Sequence, residues 1–259
     1  TVVENPAGNP SSLGYFERDI DAYESSNVLV IAVAPAVAAT GQVSVGAVVP
    51  VIVTDNSYIA EIANGVVVDA VDDVTVYAQD DAKLMPIAFS ASVSSQVAVG
   101  GTVQVLLQKT KTIARIGNGA RVASRAGSIR VVANSEEFLV NVLASISASS
   151  TVSVAAVINV NVTRSETKAS IGDNAIVAAY KDVRASAESE TFMVAVSVGI
   201  AGSGTVAVGA VVNVFVFDRS VIAQVGRGAK ITATTGDVIV SAKAKDYSII
   251  VVAGGAVSG

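Results

Sequence analysis

Arg115-Ile116-Gly117-Asn118-Gly119 decides the reading of this chain, because the stretch returns three more times. It recurs as Glu61-Ile62-Ala63-Asn64-Gly65, Ser170-Ile171-Gly172-Asp173-Asn174 and Gln224-Val225-Gly226-Arg227-Gly228. The apolar anchors Ile62, Ile116, Ile171 and Val225 stand 54, 55 and 54 residues apart. A second signature keeps the same beat: Val43-Ser44-Val45-Gly46 becomes Val97-Ala98-Val99-Gly100, Val152-Ser153-Val154-Ala155 and Val206-Ala207-Val208-Gly209. A fixed period of this size marks a repeat architecture, in which a unit buries its apolar face only by stacking on its neighbours.

Working outward, the repeats cover residues 27–259, as 27–80, 81–135, 136–189, 190–244 and a partial unit 245–259. Lys245-Asp246-Tyr247-Ser248-Ile249 restarts the segment Glu190-Thr191-Phe192-Met193-Val194, so the natural polypeptide is expected to continue beyond Gly259. Residues 1–26 fit poorly. Ile20-Asp21-Ala22 aligns with Val183-Arg184-Ala185, but Pro6, Pro10 and Gly14 mark a loop with Tyr15 and Phe16 as apolar anchors. That stretch reads as a cap, an excursion from a coil, or an arm that docks on another subunit.

Aligned repeats show columns. One is Val49, Val103, Ile158 and Val212; two residues on come Val51, Val105, Val160 and Val214; then Val53, Leu107, Val162 and Val216. The intervening columns are mixed: Pro50, Gln104, Asn159, Asn213, then Ile52, Leu106, Asn161, Phe215. Apolar columns at period two predict strands with the uniform columns facing a dry core. Ile52, Leu106 and Phe215 then lie on the outer face, where an apolar side chain suggests a covering partner. With Tyr15 and Phe16 they form the candidate interaction surface.

Two all-alanine columns, Ala60/Ala114/Ala169/Ala223 and Ala78/Ala133/Ala187/Ala242, predict close approach of walls. Asn64-Gly65, Asn118-Gly119, Asp173-Asn174 and Arg227-Gly228 predict a tight turn, since Gly and Asn take positive φ cheaply. The single-residue slack in the period falls in another turn, where Val71-Asp72-Asp73 and Tyr180-Lys181-Asp182 are shorter than Arg125-Ala126-Gly127-Ser128 and Thr234-Thr235-Gly236-Asp237. No segment shows a sustained helical stripe. The expected fold is all-β, a parallel β-helix built from about four repeats. A coil of three short strands and their turns takes about 18 to 20 residues, giving three coils per repeat, with two wider coils as the rival. About fourteen coils at roughly 4.8 Å would make a rod on the order of 65 Å long.

Composition excludes several functions. Net charge is −5, with 15% charged residues, which gives no basic patch for nucleic acid. There is no Cys and no His, so disulfide scaffolds, structural zinc, imidazole ligands and the Ser-His-Asp triad are ruled out. Val28 to Val53 carries no charge, yet Pro35 and Pro50 interrupt it, and its counterparts place Gln96, Gln104, Asn159 and Asn161 at alternating positions. A membrane helix is rejected on that pattern, and a membrane barrel on its missing aromatic girdles, so the chain is read as not membrane-spanning. The acidic pairs Asp72-Asp73, Asp80-Asp81 and Glu136-Glu137 read as solvated turns and corners. Gly117-x-Gly119 and Gly202-x-Gly204 read as turn glycines without a following helix. No catalytic, cofactor or metal residue is assigned, and the chain is not expected to be an enzyme.

The segments Ala201-Gly202-Ser203-Gly204-Thr205-Val206-Ala207-Val208-Gly209, Ser170-Ile171-Gly172-Asp173-Asn174-Ala175 and Gly236-Asp237-Val238-Ile239-Val240-Ser241-Ala242 resemble repeats of very large secreted bacterial surface proteins. These are the filamentous-haemagglutinin-like adhesins and leukotoxin-type exoproteins. The resemblance implies a right-handed β-helix (a β-solenoid), an extracellular, secreted or cell-surface location, and a role as filament or adhesive stalk. Its implied partners are the rest of a longer polypeptide, further copies end to end, and a host or neighbouring cell surface. The alternatives are a scaffold segment of a leukotoxin-like exoprotein and a polysaccharide-processing β-helix enzyme.

Overall fold

A computed structural model of the chain describes residues 20–259. Its regular elements are all strands: β1 (Ile20–Thr40), β2 (Val43–Val48), β3 (Val51–Ile62), β4 (Val67–Ala70), β5 (Val74–Ser94), β6 (Val97–Ile116), β7 (Arg121–Ser124), β8 (Ile129–Ser149), β9 (Val152–Ile171), β10 (Ile176–Ala179), β11 (Val183–Ser203), β12 (Val206–Val225), β13 (Lys230–Ala233) and β14 (Val238–Ser258). Each repeat is thus a long strand out, a tight return, a long strand back, and a short third strand between two turns. Tyr15 and Phe16 lie outside the described residues.

Strands stack in parallel on their counterparts in neighbouring repeats. One sheet runs β1-β5-β8-β11-β14, a second holds β2 and β3 against β6, then β9 and β12, and a third runs β4-β7-β10-β13. Ile20 pairs with Val74, Val74 with Ile129, Ile129 with Val183, and Val183 with Val238. One turn of the chain therefore uses a whole repeat, where the sequence had suggested two or three coils. The reason lies in the inner face. Ala, Gly and Ser there let two strands run on side by side without a corner, and Gly100-Gly101 sits inside β6 as extended chain. A strand of 21 residues spans about 70 Å, while five strands stack to only about 20 Å. The body is a broad slab, wider along its strands than along its stacking axis. Ile20 is already paired, so the repeat begins ahead of the boundary read at residue 27.

The slab has two zones. At the base, where the third sheet closes a triangle, Val74, Val76, Ile116, Val122, Ile129 and Ile171 share one buried apolar cluster with the alanine columns. Beyond it the first two sheets face each other directly in a thin blade. Alternation never slips between the zones. Ala114 and Ile116 point inward in β6, and the same parity sends Leu106, Gln104 and Thr102 inward as well. It sends Val103, Val105 and Leu107 outward, where Leu107 is 40% exposed and its counterpart Val216 46%. The uniform apolar columns are therefore the outer skin, opposite to the sequence expectation. A shift of one residue exchanges the two faces of a strand, and treating the repeat as separate short strands had concealed the parity.

Local chemistry fixes the ends of these strands. Gly65, Gly119 and Gly228 have φ of 71°, 66° and 69°, and Asn174 takes the same place at 55°. The preceding side chains form a ladder: Asn64 Oδ1 accepts from Asn118 N at 2.8 Å, Asn118 Oδ1 from Asp173 N at 2.8 Å, and Asp173 Oδ1 from Arg227 N at 2.7 Å. Each coil thereby satisfies the turn of the next. Asp73 and Asp182 do likewise at the slack-bearing turn, accepting from Ser128 N and Asp237 N. Pro50 divides β2 from β3, having no N–H for the ladder, while its carbonyl still accepts from Val105 N at 3.0 Å.

Candidate functional site

Two features of the blade are candidates for function: its skin and a polar seam at its foot. The interior of the blade is mixed: Leu84, Leu106, Leu139 and Met193 cluster at its foot and Leu143 meets Val157 and Ala88 higher up, with buried Ser, Thr, Asn and Gln between and beyond them. Ser90 Oγ donates to Ser145 Oγ at 3.0 Å, and Thr102 Oγ1 to Ser90 Oγ at 3.0 Å and to the Ala144 carbonyl at 2.8 Å. Asn141 Nδ2 donates to Asn159 Oδ1 at 3.3 Å, and Ser197 Oγ to Asn213 Oδ1 at 2.9 Å. Towards the tip, a Cβ placed on Gly46 would lie 2.7 Å from the Ala91 carbonyl, so the two backbones touch there. The Ser90–Ser145 bond joins neighbouring coils of one sheet, and the others run across the slab and hold its two sheets together.

The outer faces carry the apolar residues instead. On the first sheet these are Val140, Val142 and Ile146 of β8, and on the second Val154, Ile158 and Val160 of β9, with equivalents in every coil. Ile146, Ile200 and Val208 are 42%, 45% and 46% exposed. Charge is confined to the base, where ion pairs link successive coils. Lys109 meets Asp55 at 3.0 Å, Arg130 meets Asp73 at 3.1 Å, and Lys243 meets Glu188 at 3.1 Å. Such exposed pairs each contribute about 0–1 kcal/mol, so they set register more than stability.

The seam lies where base meets blade. The acidic pairs Asp80-Asp81 and Glu136-Glu137 sit within β5 and β8, not at corners. The strand continues straight, so one member of each pair points inward: Asp80 is fully buried and Glu137 nearly so. The sequence signal was there, since Asp80 shares parity with Ala78 and Glu137 with Ala133. Neither oxygen of Asp80 has a well-formed hydrogen bond, and the Ser135 hydroxyl gives it only weak support. Burial first, then the negative charges of Glu137 and Asp81, push its carboxyl up to about 7. Burial also raises Glu137, opposed by the Arg219 guanidinium at 3.8 Å and the Thr191 hydroxyl at 3.2 Å. Arg219 in turn pairs with Asp246, tying β8, β12 and β14 together. This buried group can exchange a proton near neutral pH. Asp72-Asp73 stays at a turn, as expected, with Asp73 bonded to Ser128 and Arg130.

The residues singled out as an exposed apolar surface are placed inside. Leu106 is fully buried, and Ile52 and Phe215 pack partly buried against the cluster of Ala82, Leu84, Leu139 and Met193. The reason is the same parity. Among the described residues no group of acids is arranged to hold a metal, and no helix is long and apolar enough to cross a membrane.

All-β architecture with stacked parallel strands defines the class as a β-solenoid repeat protein. Comparison with protein-family models, curated proteins and solved structures finds no match for this chain.

Proposed function

We propose that this chain is a structural and interaction segment of an extracellular bacterial β-solenoid, coiled right-handed, serving in a surface filament or adhesin. One observation carries the reading. Successive repeats stack in strict register at 54 or 55 residues, and the outermost strands β1 and β14 each have one partner among the described residues. Strand edges of this length pair with the next edge they meet, whether a further coil or another copy. Such stacking propagates by adding coils, which is how a filament grows.

The test is association through the β14 edge. Light scattering against concentration should show mass rising in multiples of the monomer, with elongated particles by electron microscopy. Val240→Pro and Val252→Pro remove N–H donors from the free side of β14, since the alternate residues bond to β11, and should shift the rise to higher concentration. A monodisperse monomer at the highest attainable concentration would refute the proposal.

A further inference from the structure

The skin of the blade has a height, and the height has a meaning. In each coil a charge-free window turns once at its centre: residues 84–108 between Lys83 and Lys109, 138–163 between Glu137 and Arg164, and 191–217 between Glu190 and Asp218. Each half-window is a strand arm of eleven to thirteen residues, about 40 Å long, with a continuous outward apolar column over about 30 Å of it. The tips beyond are polar: Ser94-Ser95-Gln96, Ser149-Ser150-Thr151 and Ser203-Gly204-Thr205. The band is thus bounded by charge below and by hydroxyls and amides above.

We infer that this band is a lipid-facing surface, and that the blade embeds in a bilayer with its charged base in water and its polar tip at the far headgroups. A hydrocarbon core is about 30 Å thick, which matches the band. Two faces are apolar back to back, and a second copy on one face would leave the other bare. A continuous apolar medium covers both at once. The polar side chains of the band point inward, several bonding across the slab, and the backbone of the inner coils is hydrogen-bonded to a coil on each side, as lipid requires. At the lower boundary of the first sheet, Phe138 and Phe192 stack at 5.5 Å, with Tyr247 next in register, where interfacial aromatics belong. The chain was read from sequence as not membrane-spanning by arguments against a helix and a closed barrel; the blade is neither. The inference concerns the flanks of the stack, whereas the filament reading concerns its ends and closes the edges that lipid would leave unpaired.

The absence of cysteine allows a direct test on the full chain. Ile146→Cys in the band, Ser150→Cys at the tip and Lys181→Cys at the base would each carry an environment-sensitive fluorophore. Vesicles of phosphatidylcholine and phosphatidylglycerol, with bromine on the acyl chains, would serve as quencher. The expected result is flotation with the vesicles and quenching several-fold stronger at Ile146→Cys than at Lys181→Cys. Ile146→Lys with Ile158→Lys, which face outward and leave the core untouched, should lower the floated fraction at least tenfold with circular dichroism unchanged. Absence of flotation by the unsubstituted chain overturns the inference. So does equal quenching at all three sites. A band fluorophore already buried without vesicles, and indifferent to their addition, would assign the band to a second copy and also overturn it. Light scattering of the same samples reports end-to-end growth separately, so the filament reading fails or stands on its own.

Discussion

The base and the blade are made by the same two long strands, yet their outer faces are sorted in opposite senses. In the base, Val76, Ile116 and Val131 point inward while Arg115 and Arg130 point out. About ten residues along the same strands, Asn141 and Asn159 point inward while Val142 and Ile158 point out. Backbone, register and parity are unchanged across the junction; the outward positions turn from polar to apolar, while the inward ones turn from apolar to a mixture of Asn, Ser and Thr with Leu139, Leu143 and Val157. The difference shows that a solenoid constrains the size of its inner side chains strictly and their polarity much less. A thin slab accepts Ser, Thr, Asn and Gly because they fit and bond across it. A triangular base has volume to fill and needs Val and Ile.

The comparison breaks most visibly with a buried charge. Val122→Asp in the base should cost about 4 kcal/mol or more, because an unpaired carboxylate enters an apolar cluster. Ile158→Asp on the blade should shift the unfolding midpoint by less than about 1 kcal/mol in water. Denaturant unfolding of the two variants measures the gap, and equal losses would show that the skin is not a skin.

Next in size is a pH effect at the seam. The Asp80 carboxyl is raised to about 7 in the folded chain, so it binds a proton there that the unfolded chain has already released. Stability should therefore fall as pH rises from about 4 to about 7 and level off above, by at most roughly 4 kcal/mol at about 1.4 kcal/mol per unit. Asp80→Asn should flatten that slope and leave the acid limit nearly unchanged. Unfolding midpoints across that pH range decide it, and an unaltered slope in the variant would move the titration to another group.

A smaller effect sharpens how closely the walls meet. Ala169→Leu should destabilise by about 1–3 kcal/mol through overpacking, since Ala169 is fully buried. Glu61→Leu loses only an exposed pair with Arg115 and should be nearly silent.

These contrasts also show what was legible in the residues. The period, the turn glycines and the alanine columns were plain, because Ala, Gly and Asn answer to sterics that act within a few residues. The coil width was not. Nothing local distinguishes a strand that stops after six residues from one that runs for twenty when Gly100 and Gly101 lie near its start. Once the strand was divided, each fragment's apolar columns pointed inward by default, and Leu106, Ile52 and Phe215 were turned out. The corrective signal was long-range. Ala114 and Val105 differ by an odd number of positions, so both cannot face the core of one unbroken strand. Asp80 and Glu137 were assigned to corners for the same reason.

The smallest expected effect concerns the one turn that departs from its siblings. Asn174 stands at φ 55° where three other coils have Gly. Replacing it by Gly relieves the left-handed backbone but loosens the unfolded chain, and each contribution is about 0.5–1 kcal/mol. The two oppose, so Asn174→Gly should change stability by less than about 0.5 kcal/mol. Gly228→Ala in the next coil should not be silent. Its φ of 69° disfavours a side chain, and a Cβ there would lie 2.5 Å from Asn174 Oδ1. Its loss should exceed the roughly 1–2 kcal/mol expected from backbone strain alone. Combining Asn174→Gly with Gly228→Ala removes the obstructing amide and should recover part of that loss, leaving the backbone component. If the double variant is no more stable than Gly228→Ala, the side chain of Asn174 does not rest on the coil that follows. The turn would then be ordered by the Asp173–Arg227 ladder bond and the backbone hydrogen bonds, without a contribution from the Asn174 side chain.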